Sequence, residues 1–195
     1  WLSLVRSPVV VLVAATVLLA TVASVLRDRR GPRDAGTFDF LRSFPDADIR
    51  TTMPSLEEGF DLQTVVIGGE AKPSLFAHPT SRVTWVITVP PRGVLRAFAA
   101  LRPDVWESPG DGALLRIGIS DGTSRSELFA RMIQPSRRQE DRRWFPVEAD
   151  LSAYAGRQVQ VIFETEPGDS GNAVGDAAVW GSPQVVSKHQ GPPGH

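Results

Sequence analysis

The densest group of possible metal ligands is an acidic loop near the C-terminus, "ETEPGDSGNAVGD". It contains Glu164, Glu166, Asp169, Asn172 and Asp176. Carboxylate and amide oxygens at such short spacing are the ligands that calcium prefers, so Asp169, Asn172 and Asp176 are the calcium candidates. The same residue types are also the ordinary chemistry of tight turns. The sequence favours a turn without a metal, and a calcium site is the alternative.

A second candidate site is centred on Trp106, in the stretch "RPDVWESPGDG", with Asp104 and Asp111 on either side. An exposed aromatic ring can stack on the apolar face of a sugar, and neighbouring carboxylates can accept hydrogen bonds from its hydroxyls. The same arrangement suits a protein interface equally well. Both interpretations stay open at the level of the sequence.

No catalytic set can be recognised. The chain has no cysteine, and two of its three histidines, His189 and His195, lie in a Gly/Pro-rich tail. The third, His78, precedes a proline and is typical of a turn. The nucleophile-elbow, phosphate-loop and dinucleotide-binding patterns are absent from the sequence. We therefore expect no enzymatic activity and no cofactor.

The charge pattern argues against nucleic acid. The net charge is −1, from 21 Lys and Arg against 22 Asp and Glu. The most basic stretch, "RRQEDRRW", is interrupted by Glu140 and Asp141, whereas nucleic-acid binding favours an uninterrupted basic face. Arg137 and Arg138 in this stretch are predicted instead to lie in a solvated loop or at the rim of a protein interface, and we take them as candidate partner contacts.

Most of the chain reads as short strands separated by Gly, Pro and Asp. Val159, Val161 and Phe163 alternate with more polar residues, as in a strand with one buried face. Pro146 indicates an edge strand or a bulge, and Gly156 a turn with positive φ. The pattern predicts an all-β antiparallel sandwich over residues 62–187. Its eight predicted strands are 62–67, 82–89, 94–101, 113–119, 127–133, 144–151, 157–166 and 176–186.

The segments "RRWFPVEADLSAYAGRQVQVIFETEPG" and "AVWGSPQVV" resemble the C-terminal half of galactose-binding-like jelly-roll modules. The likeness consists of a tryptophan strand, a "DLS-x-YAG" corner, a long valine-rich strand and a closing strand that contains "WGSP". It implies a jelly roll. The family includes carbohydrate-binding, protein-binding and other non-catalytic modules, so the resemblance does not choose a function.

Residues 7–26 carry no charge over a length that would span about 30 Å as a helix, the thickness of a bilayer core. The sequence therefore predicts a transmembrane anchor over residues 1–27, with a cleaved signal peptide as the alternative. An extended connector is predicted over 28–61 and a tail over 188–195. The aromatic residues of the connector could contact the membrane surface or a neighbouring protein, and the alternative is that the connector packs back on its own domain. The basic residues after the anchor favour a cytoplasmic sandwich. The predicted fold is commoner outside the cytoplasm, and we expect a periplasmic location.

Together these features predict a single-pass, non-catalytic accessory or scaffolding subunit of a larger bacterial membrane complex. A respiratory, photosynthetic, transport or envelope assembly would fit. The alternative is a membrane-anchored carbohydrate-binding module centred on Trp106. The predicted partner contacts are Phe38, Phe40, Phe44, Trp106, Arg137 and Arg138, together with the C-terminal tail.

Overall fold

The computed structural model of the protein describes residues 37–188, which form eleven β-strands, one short α-helix and four 3₁₀ turns. The strands are β1 (Thr37–Asp39), β2 (Asp48–Thr51), β3 (Phe60–Ile67), β4 (Glu70–Ala77), β5 (Ser81–Thr88), β6 (Gly93–Leu101), β7 (Ala113–Ser120), β8 (Arg125–Ile133), β9 (Phe145–Asp150), β10 (Gln158–Pro167) and β11 (Ala178–Ser187). The helix α1 is Leu56–Gly59, and the 3₁₀ turns are Phe44–Asp46, Pro103–Val105, Gln139–Asp141 and Ser152–Tyr154.

The strands pair into two antiparallel sheets that enclose one core. The first has the order β3-β4-β11-β6-β9, and β1 also pairs with β11; the second has the order β2-β5-β10-β7-β8. From β4 to β11 this is the strand order of a jelly roll. The prediction of an all-β antiparallel sandwich is confirmed, and each of the eight predicted strands is present.

The core follows from the alternation seen in the sequence. In β10, Val159, Val161 and Phe163 are buried. The Phe163 ring packs edge-on against Trp85 of β5 and Trp180 of β11, with ring centroids 5.3 and 4.9 Å away. These three aromatic rings come from strands of both sheets and fill the space between them.

Two local predictions for the strand ends are also confirmed. Pro146 lies in β9, which within residues 37–188 pairs only with β6 and is the edge of its sheet. A proline is tolerated there because its missing N–H faces no neighbouring strand. Gly156 has a φ of +74°, and its N–H donates to Val89 O at the corner before β10.

The structure differs from the prediction of an extended connector over 28–61. From Thr37 onward this segment belongs to the sandwich, because β1 pairs with β11 and β2 pairs with β5. Phe40 anchors it, since its side chain is fully buried and its ring centroid lies 5.0 Å from that of Trp85. The indole N–H of Trp85 donates in turn to Ser43 O at 3.1 Å.

The predicted anchor, residues 7–26, and most of the predicted tail lie outside residues 37–188. Within residues 37–188, no helix is long and apolar enough to cross a membrane.

Candidate functional site

A cleft lies on the outer face of the five-stranded sheet, where β2, β5 and β10 run side by side. Arg50 stands directly opposite Arg82 in the β2–β5 ladder, and Arg82 stands opposite Glu164 in the β5–β10 ladder. Their neighbours in sequence, Val83 and Phe163, point into the core. Because side chains alternate along a strand, Arg82 and Glu164 must point outward.

Glu164 is held between two arginines. Arg82 donates to its Oε1 at 2.7 Å, and Arg125 donates to its Oε2 from β8, two strands away. Burial alone would raise the pKa of Glu164, but the hydrogen bonds and charges of Arg125 and Arg82 outweigh it and lower this pKa. Glu164 is therefore a fixed anion, unsuited to act as a general acid near neutral pH.

The cleft encloses about 260 Å³, somewhat below the roughly 300–1,000 Å³ of typical small-molecule sites. Every residue that lines it has a charged or hydroxyl-bearing side chain, although Ser81 is buried on the same inward face of β5 as Val83. The lining residues are Arg50, Thr51, Thr52, Thr80, Ser81, Arg82, Glu164 and Glu166.

The predicted Trp106 site has a different character. Trp106 is half-buried, and its indole N–H donates to Leu101 O at 2.9 Å. Its ring packs against a satellite core that includes Trp144, and the Arg142 guanidinium lies 5.9 Å from its centre. Arg102 holds Asp104 through its Nε at 2.9 Å and lowers the pKa of that carboxyl. The loop is thus tied down by internal contacts that occupy the groups predicted to meet a sugar.

Asp111 is not at the surface either. It is 5 % exposed and lies beside Asp176, which is 2 % exposed, in the space between the β6–β7 and β10–β11 loops. Ser170 N donates to Asp111 Oδ2 at 2.7 Å and lowers the pKa of Asp111. Burial, reinforced by the charge of Asp111, raises the pKa of Asp176 to about 7. The predicted glycan role of Asp111 is therefore corrected, because its carboxylate faces inward.

The other two calcium candidates do not share the burial of Asp176. Asp169 and Asn172 are exposed, and Asn172 Oδ1 accepts from Val174 N at 3.0 Å in a local turn. Among residues 37–188 no group of three or more His, Cys, Asp and Glu is placed to hold a metal ion. Any cation bound here would need backbone carbonyls or water beside the two carboxylates Asp111 and Asp176.

The predicted partner contacts fall into different classes. Phe40 is corrected, because a fully buried side chain has no surface to offer a partner. Phe38 and Phe44 are half-buried and pack on the same core. Arg137 and Arg138 are exposed in the β8–β9 loop, where both backbone N–H groups donate to Gln134 O. The predicted partner contacts therefore do not form one surface patch centred on Phe40.

Comparisons with known proteins found a similar sequence and a group of similar solved structures. No family model matches it. An uncharacterized protein of Archaeoglobus fulgidus is 38 % identical over 126 residues, which is 61 % of this chain and 32 % of the relative. The chain thus spans about a third of the length of that relative.

The similar solved structures include carbohydrate-binding modules. A CBM51 module of Clostridium perfringens GH95, solved with methyl-galactose, is 11 % identical with a TM-score of 0.46, covering 77 % of this chain and 99 % of that one. The CBM22-1 xylan-binding domain of Paenibacillus barcinonensis Xyn10C is 12 % identical with a TM-score of 0.42, covering 73 % and 87 %. At these values the likeness adds no ligand and no residue to the site described above.

Proposed function

We propose that the sandwich is a non-catalytic glycan-binding module whose site is the cleft between Arg50 and Arg82, and that its ligand is a sugar carrying a carboxylate. One observation carries the proposal: two arginines stand in register on adjacent strands at the mouth of a cleft lined with hydroxyls. The resemblance of the sequence to galactose-binding-like modules also supports a glycan-binding function.

Like charges directly opposite each other destabilise an antiparallel pair. Glu164 compensates Arg82, but it is shared with Arg125. Arg50 has only Asp48, 3.5 Å away, and both side chains of that pair are mostly exposed. A surface pair of this kind contributes roughly 0–1 kcal/mol. Arg50 therefore keeps guanidinium donors that a bound carboxylate would satisfy in fork geometry.

The remaining lining suits the rest of a sugar. The exposed Thr52 and Thr80 offer hydroxyls that both donate and accept, and Glu166 offers an acceptor. No aromatic side chain lines the cleft, so stacking contributes nothing to this site. Because its hydrogen bonds to the carboxylate involve charged groups, binding should weaken as ionic strength rises.

Calorimetric titration tests the proposal with two probes that differ only in the carboxylate. These are an oligosaccharide of galacturonic acid and the neutral galactose oligosaccharide of equal length. The acidic probe should bind at least tenfold more tightly. Arg50→Gln should weaken its binding about tenfold, since each factor of ten corresponds to about 1.4 kcal/mol, the scale of one charge-assisted hydrogen bond.

Arg96→Gln is the matched control. Arg96 is also an exposed arginine in an ion pair, with Glu148 at 3.1 Å, but it lies on β6 of the other sheet. It should leave the affinity unchanged. Failure of the acidic probe to bind the wild-type chain, or equal binding by Arg50→Gln, would remove the cleft as the site.

Membrane anchoring, a periplasmic location and a scaffolding role in a larger complex remain separate proposals. They rest on residues 7–26 and on the half-buried Phe38 and Phe44, not on the cleft. Extraction of the full chain from its native membrane in mild detergent, followed by native-gel mass analysis, tests them. Stoichiometric co-migration with a large complex would support the scaffolding role, and migration as a single chain would count against it.

A further inference from the structure

A pair of buried carboxylates, Asp111 and Asp176, is left without a counter-charge. Both oxygens of Asp176 and Oδ1 of Asp111 are buried without a hydrogen-bond partner among the described residues. Only Asp111 Oδ2 has a donor, the Ser170 N–H. Three carboxylate oxygens that water does not reach therefore have no partner in a small space between two loops.

The protein's own cations do not neutralise this pair. None of the ion pairs found within residues 37–188 includes Asp111 or Asp176. The charge of Arg137 acts on Asp111 only from a distance, since its exposed side chain forms no contact ion pair with it. The Gly112 and Gly168 amides lie near the Asp176 carboxylate, but neither makes a hydrogen bond of ordinary geometry to it. Burying two adjacent charges unpaired is strongly unfavourable.

Glycines form the walls of this space, and they bring backbone carbonyls close to the carboxylates. A methyl group on Gly168 would lie 2.6 Å from Gly112 O and 2.7 Å from Asp111 Oδ1. One on Gly110 would lie 2.5 Å from Val174 O and 3.4 Å from Asp176 Oδ1. Side chains are therefore excluded at both positions, and the space is lined by carboxylate and carbonyl oxygens together with the amides of Gly112 and Gly168.

We propose that Asp111 and Asp176 bind a divalent cation of the calcium class, which ties the β6–β7 loop to the β10–β11 loop. Calcium takes six to eight oxygen ligands in flexible geometry, including carboxylates, backbone carbonyls and water. The two Asp carboxylates and the neighbouring carbonyls of the loops supply such a set. This site joins Asp176 to Asp111, 65 positions earlier in the chain, whereas the sequence had suggested its near neighbours Asp169 and Asn172. The cation proposal does not depend on the glycan proposal.

Thermal unfolding of the full chain, first stripped with a chelator, tests the site. Calcium at about 100 times its Kd should raise the Tm by roughly 5–10 °C. Asp176→Asn should abolish this shift, and its Tm without calcium should equal or exceed that of the stripped wild type because the carboxylate repulsion is gone. Asp169→Asn, an exposed acid in the same loop, is the matched control and should keep the full shift.

A direct measurement keeps the proposal testable if Asp176→Asn fails to fold. Equilibrium dialysis of the wild-type chain against radioactive calcium should give one tightly bound ion. No bound ion, or a full calcium shift in Asp176→Asn, would overturn the site. An equal Tm shift with magnesium would overturn the calcium class, because magnesium demands a tighter octahedral geometry.

Discussion

The Arg125 guanidinium lies over Gly118, at a point where any other residue would meet it. A methyl group at Gly118 would come within 3.0 Å of Arg125 Nε and 3.2 Å of its Nη2. From there Arg125 reaches past β7 to Glu164 on β10. A glycine inside a strand often marks such a close approach. Gly118 therefore determines whether Glu164 is held by two arginines or by one.

We expect Gly118→Val to push Arg125 away from Glu164. The loss of one charge-assisted hydrogen bond should lower the free energy of unfolding by about 1.5–3 kcal/mol, measured by urea denaturation. In an Arg125→Ala background the same valine should cost much less, because the obstructing side chain is gone. Strictly additive effects in this double-mutant cycle would show that Gly118 and Arg125 do not interact.

The stability of the sandwich should depend on pH through Glu164. Its folded pKa lies below the ordinary Glu value of 4.5, because Arg125 and Arg82 favour the carboxylate. The unfolded chain therefore takes up the proton first as the pH falls, and the stabilisation is complete above about pH 4.5 and lost below it. Unfolding free energies of the wild type and Glu164→Gln, measured from pH 7 to pH 3, should converge at the acid end. A constant difference across this range would contradict the role of the charge. The wild type must be compared with Glu164→Gln because Asp121 also makes stability depend on pH. The pKa of Asp121 is lowered by Ser124, Thr123 and Arg157, and this contribution is the same in both proteins.

Phe40 should be essential to the sandwich even though it lies in a stretch that reads as a connector. Truncating a fully buried phenylalanine typically costs about 3–5 kcal/mol, and Phe40 contacts both Trp85 and Phe163. Phe40→Ala should cost that much in urea denaturation. Phe38→Ala, two residues away and half-buried, is the control and should cost clearly less. Equal small losses would mean that this segment is only loosely attached.

The strands that the sequence missed are those whose local signals are weak or misleading. The segment that forms β4 follows Gly68 and Gly69 directly and contains Pro73, and residues of these types are typical of a turn. Pro73 is tolerated because β11 pairs with β4 only from Ser74 to Phe76. Strands as short as β1 and β2 show no alternation that could be counted. In the long strands, such as β10, the alternation of apolar and polar residues repeats several times, and it predicted these strands.

The candidate sites were harder to predict than the fold, because each joins residues far apart in the chain. Arg82 and Glu164 are 82 residues apart, and only the β5–β10 register brings them together. Trp106 was conspicuous in the sequence because it stands among turn residues. Its indole N–H is nevertheless bonded to Leu101 O, since a half-buried tryptophan needs a partner for its N–H. The ring packs on the satellite core that includes Trp144.

Substitutions of Trp106 distinguish the Arg50–Arg82 cleft from the glycan site that the sequence predicted. Trp106→Ala should lower the free energy of unfolding by roughly 2 kcal/mol, less than for a fully buried tryptophan. It should leave the affinity for the galacturonic-acid oligosaccharide unchanged well below the Tm, because Trp106 does not line the cleft. Trp106→Phe keeps an aromatic ring and loses the hydrogen bond, so it should cost about 1 kcal/mol. If affinity instead disappears in the folded Ala variant and survives in the Phe variant, an aromatic platform at position 106 binds the sugar. The glycan site would then belong to the Trp106 loop, and the Arg50–Arg82 pair would need another explanation.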